Sequence, residues 1–284
     1  VIEVSIVLPA HNEAHRLRET IAALRETVSL PHEIIVVNDG STDGCCDNLP
    51  DVSLLQLPRR EGVANARNLG AAQAQAPILV TMDAHCTPRI GWLEQLLSQV
   101  SQPGVGIAAP QIRSIECSSA TAFGLTIRDR ELGVGWLNRQ ASQPYPVPLA
   151  GAACMVMTRD FFERVGRFDD FRGYGMEDVE ICLRSWLLGY SVMMVPGAVV
   201  EHWFKKVPFA VNWHDYLYNR LRTAVLHFDG APLARILAVL QTKPCFADAS
   251  ASLLVSDVWT RHHFLRSRRI HDTEWFCRKF GIDL

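Results

Sequence analysis

The sequence predicts an α/β fold: a doubly wound, mostly parallel sheet with a C-terminal helical extension. Apolar, β-branched runs alternate with stretches of helical spacing through residues 1–100. The runs "VSIVLPA", "HEIIVVND" and "PILVTMDA" lead to polar residues at their ends, Asn12 and Glu13, Asp39, and Asp83 with His85, as expected where a parallel sheet presents its carboxyl edge to a ligand. Residues 207–284 are mostly helical in pattern.

The elements follow in order. "VSIVLPA" reads as a strand covered on both faces. "NEAHRLRETIAALRETV" has helical spacing, with Leu17, Ile21 and Leu24 on one face and Asn12 as the expected N-cap. "HEIIVVND" is the next strand, closed by the turn former "DGSTDG". "SLLQLP" is a shorter strand, "GVANARNLGAAQA" a helix, "PILVTMDA" a strand and "GWLEQLLSQV" a helix. After residue 100 the rhythm breaks: "GIAAPQI" reads as a strand, but the stretch up to residue 150 is loop-rich, either a substrate-covering region or a solvated loop. A strand and short helix follow in "AGAACMVMTRDFFERVGRFDD". "EDVEICLRSWLLGY" is a helix ended by Gly189, and "SVMMVPGAVVEHWF" is a final strand region. The expected division is residues 1–206 as the main domain, in two halves at 1–100 and 101–206, and 207–284 as the extension.

Composition bounds what such a chain can do. Its 284 residues, 48% hydrophobic and 20% charged, fit a globular protein able to bury a sizeable core. A formal net charge of −2 gives no basis for nucleic-acid binding. No apolar stretch reaches the roughly 20 residues that span a bilayer, and the opening residues do not read as a secretory leader. The eight cysteines are scattered without a CxxC pair, and Cys154 and Cys182 sit within apolar patterns. They read as buried thiols in a reducing compartment, not as a zinc cluster. The expected location is cytoplasmic, with peripheral membrane contact left open.

Candidate chemistry gathers at the strand ends. In "DAHC", Asp83 and His85 are two positions apart and point to one side of an extended chain. That pair fits a metal site, a hydrogen-bonded turn or an accident of sequence. His202 ends another strand, and a carboxylate with two imidazoles suits a divalent ion such as Mn²⁺. In "GYGMEDVE", Glu177 and Asp178 open a helix, where a carboxylate is either dipole complementation or a general base. Arg67 is either a surface charge or a fork for an oxyanion.

Together "VSIVLPAHNE", "VVNDGSTD", "GVANARNLG" and "VTMDAH" resemble the GT-A glycosyltransferases, particularly family 2, in order and spacing over about residues 3–204. The resemblance implies a metal-dependent transfer of a sugar from a UDP-sugar to a peptide or protein, a glycan or a lipid-linked acceptor, with Mn²⁺ or Mg²⁺ as cofactor. It implies that Pro9, Ala10, Asn12 and Glu13 line the nucleotide pocket, that Asp39 hydrogen-bonds the base, and that Arg67 approaches the base or diphosphate. Asp83 would contact ribose and metal, and Gly151 and Ala152 would lie against the donor sugar. Asp178 would be the base of an inverting reaction, with Glu177 as its neighbour and the less favoured base. His85 stands where family 2 more often has a second aspartate. "DAH", "EHWF" and "EDVEICLRSW" are similar to the polypeptide N-acetylgalactosaminyltransferases, which implies Asp83, His85 and His202 as metal ligands and keeps a retaining outcome open.

Two other classes stay open: a metal-dependent hydrolase and a non-catalytic nucleotide-binding module. The basic, aromatic runs "YNRLRTAVLHF" and "RHHFLRSRR" leave the C-terminal helices three roles: capping the site, pairing subunits, or lying on a membrane surface.

Overall fold

A computed structural model describes residues 1–117, 119–205 and 212–284. The chain begins with β1 (Val4–Ala10), α1 (Arg16–Thr27), β2 (His32–Asn38), β3 (Ser53–Gln56), α2 (Val63–Gln73), β4 (Ile78–Met82), β5 (Cys86–Pro88) and α3 (Trp92–Val100). Next come β6 (Val105–Ser114) and the short strands β7 (Thr121–Ala122), β8 (Leu125–Ile127), β9 (Val134–Trp136) and β10 (Tyr145–Pro146). The central region ends with β11 (Cys154–Thr158), α4 (Arg159–Val165), α5 (Glu177–Leu187) and β12 (Ser191–His202). The last helices are α6 (Trp213–His227), α7 (Gly230–Leu240), α8 (Phe246–Leu254), α9 (Val258–Arg268) and α10 (Thr273–Phe280).

Every residue of β1 is buried, as its unbroken apolar run requires of a central strand covered on both faces. The main sheet runs β10-β12-β6-β11-β4-β1-β2-β3. The half β3-β2-β1-β4 is parallel. β11 then intrudes antiparallel to both β4 and β6, and β12 lies parallel to β6. Two reversals restore direction, so β4 and β12 end at the same edge. Successive residues face opposite layers. Ile6 and Leu8 join Leu17, Leu24 and Trp92 on one side, whereas Val7 joins the cluster containing α2, α5 and α6 residues.

The sheet is thus mixed rather than purely parallel in its second half. The stretch before residue 150 is also more ordered than a loop: β8 pairs with β9, and Phe123, Leu125, Leu132 and Leu149 are buried. Strands of two or three residues are too short to show a period of two in the sequence. Helix α1 starts at Arg16, not beside Asn12. Asn12 has a left-handed φ of 54°, and its side chain accepts the Thr42 N–H at 2.8 Å instead of capping the helix.

The C-terminal helices share the sheet's core. Leu217, Tyr218, Leu221 and Ala224 of α6 belong to the same buried cluster as Val7 and Met155. The expected boundary at 206/207 lies outside the described residues. Because α6 is buried from Leu217 to His227, "YNRLRTAVLHF" cannot be a membrane-facing surface. Among the described residues no helix is long and apolar enough to cross a membrane. All eight cysteines are free thiols, and Cys154 and Cys182 are buried as expected.

Helix α2 approaches β1 through Gly70. A Cβ there would lie 2.3 Å from Val7 Cγ1 and 3.1 Å from Val37 Cγ2. Gly70→Ala should therefore lower stability by about 1–3 kcal/mol through overpacking, read as a reduced midpoint in urea unfolding with an unchanged slope.

Candidate active site

The end of β4 and the end of β12 meet through β5. The Asp83 N–H donates to Ala153 O at 3.1 Å as the chain leaves β4. Antiparallel pairing of β5 with β12 sets Cys86 opposite His202, and the Trp203 N–H donates to His85 O at 3.1 Å. His85 and His202 consequently lie edge to face, with ring centroids 4.7 Å apart. One ligand atom from each of Asp83, His85 and His202 lies within 4.8 Å of the others. Asp83 Oδ2 is 3.3 Å from His202 Nε2.

A buried shell fixes these side chains. Glu13 Oε2 lies 2.8 Å from His85 Nδ1, while Glu13 Oε1 accepts from Lys205 Nζ at 3.0 Å. This leaves His85 Nε2 as the nitrogen available to a cation, the arrangement in which a carboxylate orients a ligating imidazole. Burial would raise the Glu13 carboxyl, but His85 and Lys205 together hold it below its ordinary value. Burial acts in the same direction on Asp83, where the His202 hydrogen bond and the Arg67 charge outweigh it and keep the carboxyl well below the usual range. An ionised carboxylate beside two imidazoles fits a divalent ion such as Mn²⁺. Glu13, expected to line the nucleotide pocket, is only 6% exposed and stands behind His85 instead.

Arg67 requires a larger correction. Its side chain is 1% exposed, so it does not reach a base or diphosphate. Nη2 donates to Asp83 Oδ1 at 2.7 Å and to Ala152 O at 3.1 Å, and Nη1 donates to Glu177 Oε1 at 3.0 Å. The apolar run of α2 signals a buried helix, but nothing local in the sequence identifies which carboxylates its arginine meets. Arg222 is likewise buried, donating to Asp169 at 2.6 Å and to Asp257 at 2.7 Å.

Glu177 is the first residue of α5, and Asp178 follows it. Glu177 is buried and tied to Arg67, whereas Asp178 is half-buried. The Ala152 N–H donates to Asp178 Oδ2 at 3.2 Å and the Val179 N–H to Oδ1 at 2.8 Å. Burial, and then the charge of Glu177, push the Asp178 carboxyl up to about 7. A half-buried carboxyl so placed can exchange a proton near neutrality.

The remaining expected residues frame this edge. Pro9 and Ala10 are buried in β1, and Ala10 O accepts the Asp39 N–H at 2.8 Å. Asp39 is 4% exposed, and its carboxylate accepts the N–H groups of Glu61 at 2.6 Å and Gly62 at 3.0 Å. Asn12 is exposed. Gly151 lies beside Trp136, whose ring would be 3.5 Å from a Cβ at that position. Sequence reading missed Trp136, Phe204, Lys205 and the loop around Arg60. Trp136 packs on Phe204, and Phe204 packs on His202, with centroid separations of 5.9 and 4.4 Å. A cavity of about 570 Å³ opens between the loop held by Asp39 and the turn before α5, lined by Arg60, Glu61, Gly173 and Tyr174 among others.

Removing the Arg67 charge would strand Asp83 and Glu177. Arg67→Met should cost about 3–5 kcal/mol, the usual penalty for breaking a buried ion pair, measured by chemical denaturation.

The family profile described as "Glycosyl transferase family 2" matches residues 5–166. Polypeptide N-acetylgalactosaminyltransferase 6 of Bos taurus is 30% identical over 259 residues, covering 80% of this chain and 42% of the relative. The chain thus spans less than half the length of that relative. A crystal structure of GalNAc-T7 with UDP, GalNAc and Mn²⁺ superposes with a TM-score of 0.83 at 20% identity, covering 100% of this chain and 57% of that one. The mannosyltransferase PcManGT from Pyrobaculum calidifontis, in complex with GDP-Man and Mn²⁺, gives a TM-score of 0.56 at 20% identity, covering 94% and 85%. These likenesses confirm the GT-A fold, and by the match of its profile over residues 5–166 the chain belongs to glycosyl transferase family 2.

Proposed function

We propose that the protein transfers a sugar from a UDP-sugar to an acceptor hydroxyl, with a divalent cation, Mn²⁺ or Mg²⁺, held by Asp83, His85 and His202. The observation that carries this reading is the convergence of those three side chains, with Asp83 joined through Arg67 to the Ala152 peptide unit whose N–H meets Asp178, a carboxyl raised to about 7. When bound, the cation supplies Lewis-acid stabilisation of negative charge on the diphosphate.

The chain's own residues do the rest. Asp178 accepts the acceptor's O–H proton as that oxygen bonds to the anomeric carbon from the face opposite the diphosphate. The glycosidic C–O bond breaks, its electron pair leaves with the diphosphate, and the configuration inverts. Glu177 stays on Arg67, and its nearness raises the proton affinity of Asp178. The Ala152 N–H aims the carboxylate. Asp39 shapes the loop that borders the cavity beside the donor edge, where the nucleoside end of the donor fits. The polypeptide acceptors in the relatives' names, with exposed Trp136 beside Gly151, favour a peptide or protein acceptor over a glycan or lipid-linked one.

Transfer from a panel of UDP-, GDP- and dTDP-sugars to peptide and glycan acceptors, followed by product mass, tests the reading. No product with any donor would defeat it. UDP binding measured by calorimetry should strengthen with Mn²⁺ in the parent and lose that dependence in His85→Ala and His202→Ala. A His202 variant that titrates like the parent would make that histidine purely structural.

Asp178→Asn should lower turnover by about 10²–10⁴-fold while UDP binding persists. In the parent, turnover should rise as pH passes through about 7, where the base becomes ionised. Stability has the opposite sign. A carboxyl raised from 3.8 to about 7 binds its proton more tightly when folded, so its contribution is lost as pH climbs through that window. Asp178→Asn should therefore melt above the parent, with a margin that grows between about pH 4 and pH 7 and levels off beyond, in thermal scans across pH.

A further inference from the structure

We infer that Asn219, in the middle of α6, is a positioning residue for Asp178, acting through the turn of residues 172–175; this rests on the assignment of Asp178 as the base. Asn219 is fully buried, and its amide is spent on that one turn. Oδ1 accepts the Arg172 N–H at 2.8 Å. Nδ2 donates to Arg172 O at 2.8 Å and Gly175 O at 2.9 Å, with Tyr174 O at 3.3 Å. A carboxamide offers two donor hydrogens and one acceptor oxygen, so both ends of the group are engaged.

The turn needs such a holder. Gly173, Gly175 and Met176 have φ of 57°, 96° and 77°. Left-handed backbone is costly for a side-chain-bearing residue such as Met176 and persists only where surroundings enforce it. Met176 is the N-cap of α5 but forms no side-chain cap. The geometry of the first turn of α5, and hence of Asp178, is therefore inherited from the loop that precedes it. The loop is gripped from two sides: the Val63 N–H of α2 donates to Gly173 O at 3.1 Å, and α6 supplies Asn219. The Arg172 guanidinium also lies over the Tyr218 ring at 3.9 Å, one residue before Asn219 on the same helix.

The alternative is that Asn219 only stabilises the fold. The two roles separate in Asn219→Leu, which keeps the volume and removes every hydrogen bond, and in Asn219→Asp, which keeps the acceptor and removes the donors. If the leucine variant fails to fold, the aspartate variant carries the test. Positioning predicts that hydrogen exchange accelerates in residues 172–178 while β1 and α7 keep parental protection. It also predicts that kcat falls by about 10²-fold, the scale of a small misplacement of a reacting group, with donor KM near the parental value. The acid limb of the pH–rate profile should move below its parental position as Asp178 becomes better solvated. Unchanged exchange in residues 172–178, or lost protection with parental kcat and pH profile, would overturn the inference. An inactive parent would defeat the transfer reading separately; exchange and direct NMR titration of the Asp178 carboxyl would then decide positioning, a parental titration in the variants overturning it.

Discussion

The site depends on one buried guanidinium. Asp83 comes from the end of β4 and Glu177 from the start of α5, and Arg67 lies between them with a hydrogen bond to each. Buried carboxylates without a cation shift toward the neutral form, and a neutral Asp83 would make a poor metal ligand. Arg67 thus keeps the cation-binding end charged and at the same time sets its distance from α5. Its third bond, to Ala152 O, adds the peptide unit whose N–H meets Asp178. Only a planar fork spans three acceptors in this way, so a lysine would not reproduce the arrangement.

What surrounds this hub extends the same logic. Asp169 binds Arg222 at 2.6 Å and Arg261 at 2.9 Å, joining the loop before α5 to α6 and α9. Glu180 binds Arg184 at 2.6 Å and lies 2.7 Å from His227 of α6. Arg184 in turn caps the carbonyls of Val165 and Arg167, both at 2.7 Å. Buried ion pairs seldom add much net stability, because desolvation offsets most of the attraction, but a broken one is costly. Here they all act on the segment between α4 and α5, which must hold a strained turn and a pair of adjacent carboxylates. The C-terminal helices therefore bear on the active edge, and Asp215 of α6 lines the cavity beside it.

Much of this edge was legible in the sequence because strand ends announce themselves. The runs before Asp39 and Asp83 are continuous and apolar, and "DAH" places two ligand types on one side of an extended chain. The doubly wound order follows from alternation alone. The sequence did not disclose the mixed second half of the sheet, since an apolar strand such as "CMVMT" reads the same in either direction. Nor did it disclose the partners of Arg67, Glu13 or Asn219. Each makes its decisive contact with residues far away in the chain, and a single sequence holds no record of which distant groups meet. Arg67 read as either a surface charge or an oxyanion fork, and only geometry tells a ligand from a brace. Asn12 shows the reverse error: a good capping residue was claimed by the Thr42 backbone before the helix could use it.

On the proposed inverting reaction, the choice of base between two neighbouring acids follows from these braces. Glu177 has the longer reach, yet Arg67 holds it and its side chain is only 4% exposed. Taking a proton there would mean weakening the ion pair that keeps Asp83 in place. Asp178 has no arginine of its own: its hydrogen bonds come from two backbone amides, which orient a carboxylate without supplying a full countercharge. Burial and the adjacent Glu177 then leave it with proton affinity to spare near neutrality. The acid that is worse satisfied by the protein is the one better suited to take a proton from an acceptor, and the well-satisfied one serves by holding still.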